Sequence, residues 1–92
     1  MKVKVEISFS FKRDLPPEIT LELSDGADVR AALDALVRRF PQIEERIFSP
    51  RGEIHRHINA LVNGGNVSFK RGFETVLHDG DQLTILPPVG GG

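Results

Sequence analysis

Side chains able to do chemistry are sparse in this sequence of 92 residues, and none of them is a cysteine. Disulfides, thiolate metal sites and a cysteine nucleophile are therefore excluded. The most suggestive ligand-type residues are Glu53, His55 and His57. On a strand, residues two apart share a face, so both histidines could ligate zinc with Glu53 nearby. No third or fourth ligand is evident, and the pair reads better as solvent-exposed residues leading into a strand. His78 precedes Asp79-Gly80 and suits a polar turn. Ser49 and Ser68 lack a patterned base and orienting partner, and a triad needs a cleft that so small a domain seldom offers. "NGG" at Asn63 to Gly65 is no phosphate loop, because no helix follows to present its N-terminus. Lys12 and Arg13 make a small basic spot that reads as a solvated turn, although an acidic patch could dock there.

What remains is the final stretch, "ILPPVGGG", Ile85 to Gly92. Pro87 and Pro88 fix φ and favour an extended path. Gly90, Gly91 and Gly92 permit close backbone approach and unusual dihedrals. Five steps beyond Pro87 span roughly 17 Å if extended. The segment is narrow, aimed at its base and free beyond it, with Val89 as a possible anchor partway along.

The elements that must position this tail follow from periodicity. Val3, Val5, Ile7, Phe9 and Phe11 alternate with polar residues, the signature of a half-buried strand. "DLPP" at Asp14 to Pro17 is turn material, and Ile19, Leu21 and Leu23 alternate again, which predicts an antiparallel hairpin. The period then changes. Val29, Leu33, Leu36, Val37 and Phe40 form one helical stripe, with Asp28 as N-cap, Arg38 and Arg39 near the C-terminal end and Pro41 as the stop. Ile43, Ile47 and Phe48 pin a short helical turn, and Ser49 to Gly52 is a loop. "HINALVNGG" predicts a strand and then a turn at Asn63-Gly64, with Asn66 to Phe69 returning as a short strand. "HDGD" at His78 to Asp81 turns the chain into a last strand, Gln82 to Leu86. Ile58, Ala60 and Val62 share one face of the third strand, and Leu83 and Ile85 point with the core. Leu61 and Leu86 then fall on the open side of the sheet. Strand, strand, helix, strand, short strand, strand is the order of an α+β, ubiquitin-like β-grasp fold: a mixed sheet packed on one helix. The expected division is a domain over 1–88 and a flexible Gly-Gly tail over 89–92.

"ALVNG" at Ala60 to Gly64, "LHDGDQLTILPPV" at Leu77 to Val89, and the closing Gly91-Gly92 resemble the MoaD/ThiS-like sulfur carriers. The resemblance covers the whole chain in element order and is specific over its last third. It implies that the working group is the C-terminal carboxylate of Gly92. In this family an E1-like adenylating enzyme joins that carboxylate to AMP, using ATP and magnesium, and sulfur then displaces AMP to leave a thiocarboxylate. A free α-carboxyl, with a pKa of roughly 3.3–3.7, is ionised near neutral pH and can attack the α-phosphate unaided. A carboxylate is a poor electrophile, and the mixed anhydride gives it a good leaving group. The chain itself is then a carrier and not an enzyme, and binds no cofactor of its own. The resemblance further implies a large partner, most readily the large subunit of molybdopterin synthase; the strand phase, which leaves Leu61 and Leu86 amid polar residues beside the tail, makes them the expected docking pair. Thiamine synthesis and tRNA thiolation are alternative destinations, and a ubiquitin-like modifier that captures target-protein lysines is another. One departure concerns the first hairpin: "FSFKRDL" at Phe9 to Leu15 has no glycine, unlike many molybdopterin-synthase small subunits.

A net charge of −1 gives no basic footprint for nucleic acid. The N-terminal stretch is too interrupted by charge for a signal peptide, and no run approaches a membrane span. Cytoplasmic residence is the expectation that follows.

Overall fold

The computed structural model describes residues 1–7, 15, 16 and 18–86. The expected continuation of the first strand through Phe9 and Phe11, the Lys12–Arg13 spot and the whole tail from Pro87 to Gly92 lie outside the described residues. Inside them the chain forms β1 (Lys2–Ile7), β2 (Ile19–Glu22), α1 (Val29–Arg39), α2 (Glu44–Ile47), β3 (Asn59–Val62), β4 (Gly65–Asn66) and β5 (Gln82–Leu86). Three 3-10 turns, Pro41–Ile43, Val67–Phe69 and Gly72–Glu74, complete the element order.

The strands make one sheet in the order β2-β1-β5-β3-β4. β1 runs antiparallel to β2 and parallel to β5, and β3 runs antiparallel to both β5 and β4. This is the mixed sheet of a ubiquitin-like β-grasp fold. Its register places Val5 between Ile19 and Leu83, and Ile7 beside Ile85. Alternation is therefore in phase across three strands, and every inward residue meets an apolar neighbour.

α1 covers the inward face. Asp28 caps it, its Oδ1 accepting from the Ala31 amide at 2.9 Å. That bond satisfies one of the amides a first helical turn leaves free. Val29, Ala32, Leu33 and Leu36 are fully buried, while Val37 and Phe40 are half-buried flanks of the stripe. Arg39 donates to the Thr20 carbonyl at 2.9 Å, tying the end of the helix to edge strand β2. Pro41 does stop α1, and it opens the 3-10 turn that leads into α2. Ile43, Ile47 and Phe48 go into the core, as their spacing predicts. Leu15, Val67 and Leu77 join them, although no periodic pattern marked these three.

Two boundaries differ from expectation. Asn66 to Phe69 is no returning strand: β4 ends at Asn66, and Val67–Phe69 is a 3-10 turn. The cause is local, since the Asn66 side chain accepts from the Ser68 amide at 2.9 Å and bends the chain out of the ladder. The third strand is also shorter than "HINALV", beginning at Asn59. Residues 55–58 instead make a turn in which the Ile58 amide donates to the His55 carbonyl. His55 and His57 are thus not partners on one strand face.

Candidate functional site at the root of the tail

The tail leaves from β5, the central strand of the sheet. Leu83 and Ile85 are completely buried, and each backbone edge of β5 is paired, one with β1 and one with β3. A run of alternating aliphatics held on both edges is the most rigid base the fold provides.

Its N-terminal end is locked by two turns. Asn63, at φ 50°, and Gly64, at φ 85°, form the tight turn after β3, where glycine and asparagine best tolerate the left-handed region. The Asn63 side chain then reaches across the sheet. Its Oδ1 accepts from the Gln82 amide at 2.9 Å, and its Nδ2 donates to Asp81 Oδ1 at 2.9 Å. Asp81 Oδ2 accepts from the His78 amide at 2.8 Å, and the Asp81 carbonyl accepts from the Lys4 amide. Asp79 Oδ1 accepts from the Lys2 amide at 2.7 Å. The Asn-Gly and Asp-Gly-Asp stretches, prominent in the sequence, are thus a clamp that joins the starts of β1 and β5 to the end of β3.

The far end of β5 carries Leu86, the last residue described before the tail. Asn59 lies opposite Leu86 and Leu61 opposite Thr84. Leu61 and Leu86 are therefore diagonal neighbours, about 7–8 Å apart by the usual geometry of an antiparallel pair. Both are half-buried, while Ile58, Ala60 and Val62 are buried on the other face. The strand phase read from the sequence is the phase observed. Glu6, Thr84 and Gln82 continue the open face toward β1, with Gln82 Nε2 donating to Glu6 Oε2 at 3.4 Å. An apolar pair set in polar surroundings beside a tail root is what a docking surface needs. The six tail positions, Pro87, Pro88, Val89, Gly90, Gly91 and Gly92, fall outside the described residues.

Other candidate groups take ordinary places. His55 Nε2 is 2.8 Å from the Glu45 carbonyl, and its amide donates to the Ile47 carbonyl, so the ring is used to hold the loop against α2. Among the described residues no three His, Asp or Glu side chains gather as a metal site, and no helix is long and apolar enough to cross a membrane. Ser49 Oγ accepts from the Arg51 and Glu53 amides, which occupies it within its own turn. One surface feature escaped the sequence reading: Phe69, placed there on a strand, projects from a turn and is 88% exposed.

The ThiS family model matches residues 9–92. Small archaeal modifier protein 1 of Haloferax volcanii is 40% identical over 74 residues, covering 80% of each chain. The sulfur carrier protein CysO of Mycobacterium tuberculosis is 38% identical over 71 residues, 75% of this chain and 76% of that one. The molybdopterin synthase sulfur carrier subunit of Arabidopsis thaliana is 30% identical over 94 aligned positions, 100% of this chain and 84% of that one. Among solved structures, the Haloferax volcanii modifier superposes with a TM-score of 0.88 at 30% identity over the full length of both chains. The Amycolatopsis orientalis BexX/CysO complex contains a chain that matches with a TM-score of 0.75 at 37% identity, covering 98% of this chain and 99% of that one.

Proposed function

This chain belongs to the ThiS family of sulfur carriers and ubiquitin-like small modifiers, and on that premise we propose that it is a sulfur carrier whose working group is the Gly92 carboxylate. One carboxylate oxygen attacks the α-phosphate of ATP held by an E1-like adenylating enzyme. Pyrophosphate leaves and an acyl-adenylate forms. Hydrosulfide supplied by the partner system then attacks the acyl carbon, AMP leaves with the C–O bonding pair, and loss of the S–H proton leaves the thiocarboxylate. ATP and magnesium belong to the partner in this scheme. This chain supplies a carboxylate at the end of a narrow tail, rooted on a strand that cannot shift.

The observation that carries the reading is the Leu61–Leu86 pair on the open face, one strand step from where the tail departs. A partner seated on that pair holds the tail root still while Gly90, Gly91 and Gly92 thread its active site. Docking converts tail capture into an intramolecular event and raises the effective concentration of Gly92 there. Pro87 and Pro88 aim the tail and Val89 anchors it partway.

The destination of the sulfur is a finer part of the proposal. The Arabidopsis relative supports delivery to the large subunit of molybdopterin synthase, and the CysO relatives, one of them found in a complex with BexX, support another destination. A second reading, protein modification, is favoured by the likeness to the Haloferax modifier. There a lysine amine of a target attacks the same acyl-adenylate, AMP leaves, and an isopeptide bond to Gly92 results. ATP–pyrophosphate exchange tests the step both readings share. The purified E1-like enzyme of the same organism should catalyse exchange with the intact chain and not with the chain lacking Gly92. Equal exchange with both would refute it.

A further inference from the structure

Phe69 is 88% exposed, the highest exposure of any large apolar side chain among the described residues. Single exposed apolar side chains are common on folded proteins, so exposure alone decides nothing. Three further observations do. The turn that carries Phe69 is fixed: Val67 is 2% exposed, Asn66 Oδ1 accepts from both the amide and the hydroxyl of Ser68, and the Lys70 amide donates to the Val67 carbonyl. A two-torsion aromatic ring on a fixed turn loses little freedom when a partner buries it. Two cations adjoin Phe69, with exposed Glu74 in the following turn. Lys70 and Arg71 follow Phe69 directly, both exposed, on a chain whose net charge is −1. Next to the turn runs a groove of about 420 Å³, lined among others by Arg56, His57, Ser68, Phe73 and Leu86. The 3-10 turns beside Phe69, residues 56–59 leading into β3, and Leu86 at the end of β5 all line it, so the turn that carries Phe69 and the tail root border a single groove.

We propose that Phe69, flanked by Lys70 and Arg71, is a second anchor for the enzyme that adenylates Gly92, its ring entering an apolar pocket rimmed by carboxylates. The inference rests on the sulfur-carrier reading and adds a specificity contact to it. Leu61 and Leu86 hold the partner from the open sheet face. Phe69 follows β4, the edge strand on that side of the sheet, and reaches another part of the same partner. The cationic flank steers an acidic surface toward the groove, and such steering weakens as salt screens it.

The test is steady-state ATP–pyrophosphate exchange with the purified E1-like enzyme of the same organism. Phe69→Ser should raise the KM for the carrier by on the order of ten-fold, as loss of an aromatic hot spot does, and leave kcat close to wild type. Lys70→Glu with Arg71→Glu should raise KM at low salt and approach wild type at high salt. Thermal unfolding midpoints should stay unchanged, because none of the three side chains is buried. An unaltered KM in both variants overturns the second anchor, as does a fall in kcat alone. If those variants behave as wild type while the chain lacking Gly92 is inert, the carrier reading stands and only the Phe69 contact falls. If wild type supports no exchange, the carrier reading and this inference fall together.

Discussion

Replacing Asp81 by alanine removes the hub of the clamp at the start of β5. Its carboxylate accepts from the His78 amide at 2.8 Å and from Asn63 Nδ2 at 2.9 Å, and its side chain is only 13% exposed. Hydrogen bonds to a charged partner contribute about 1.5–3 kcal/mol each when shielded, and solvent access lowers these two to about 1–1.5 kcal/mol each, for a total of about 2–3 kcal/mol. The backbone bond from the Lys4 amide to the Asp81 carbonyl survives the substitution, which limits the loss. With a urea m-value of about 1 kcal/mol/M for a domain this small, the midpoint should fall by about 2–3 M. The sequence has no tryptophan or tyrosine, so unfolding is best followed by far-ultraviolet circular dichroism. A double-mutant cycle with Asn63→Gly, which keeps the left-handed turn residue permissive, should show a coupling of about 1 kcal/mol between the two side chains. The folded fraction of Asp81→Ala should still be adenylated, since Leu86 and the tail are at the other end of β5. A midpoint shift below about 0.5 M, or zero coupling, would show that water replaces these bonds freely and that the clamp is not what fixes β5.

Leu36 is fully buried on the inward face of α1, so Leu36→Ala should cost about 2–5 kcal/mol in the same urea assay; a cost near zero would mean that the core does not close around it. The paired change Leu61→Glu with Leu86→Glu should leave the circular dichroism spectrum native and abolish binding to the adenylating enzyme by calorimetry. Unfolding of that variant would place the leucines in the core instead. Deleting Gly92 should change stability by no more than roughly 0.5 kcal/mol, since a glycine has no side chain to bury.

The alternation of Val3, Val5 and Ile7, the phase of Ile58 to Val62 and the Asp28 cap were legible because each is set by neighbours a few residues away. The turn at Asn63-Gly64 was legible for the same reason: a left-handed backbone calls for those residue types. Contacts across long loops left no periodic trace. Nothing local marks the Asn63 side chain as a partner of Asp81 and Gln82, nor Leu77 as core. β4 was overextended because "NVSF" can serve a strand, and only the Asn66 side chain, competing with the ladder, ends it. His55 and His57 invited a zinc reading on the premise of a strand, and a turn at residues 55–58 removes that premise. The family was legible through the Asn-Gly, Asp-Gly-Asp and Pro-Pro-Val-x-Gly-Gly motifs, whereas Phe69 carried no signal, since an apolar residue in a short polar stretch ordinarily points inward.

In the proposed chemistry the Gly92 carboxylate exchanges one oxygen for sulfur. The direct measurement is intact mass spectrometry of the purified chain after incubation with its E1-like enzyme, ATP, magnesium and a sulfur donor. A mass increase equal to one oxygen-to-sulfur exchange, confined by fragmentation to Gly92 and absent without ATP, is the predicted result. An unchanged mass under conditions where the enzyme turns over ATP with the chain, or sulfur located on any other residue, would contradict the account.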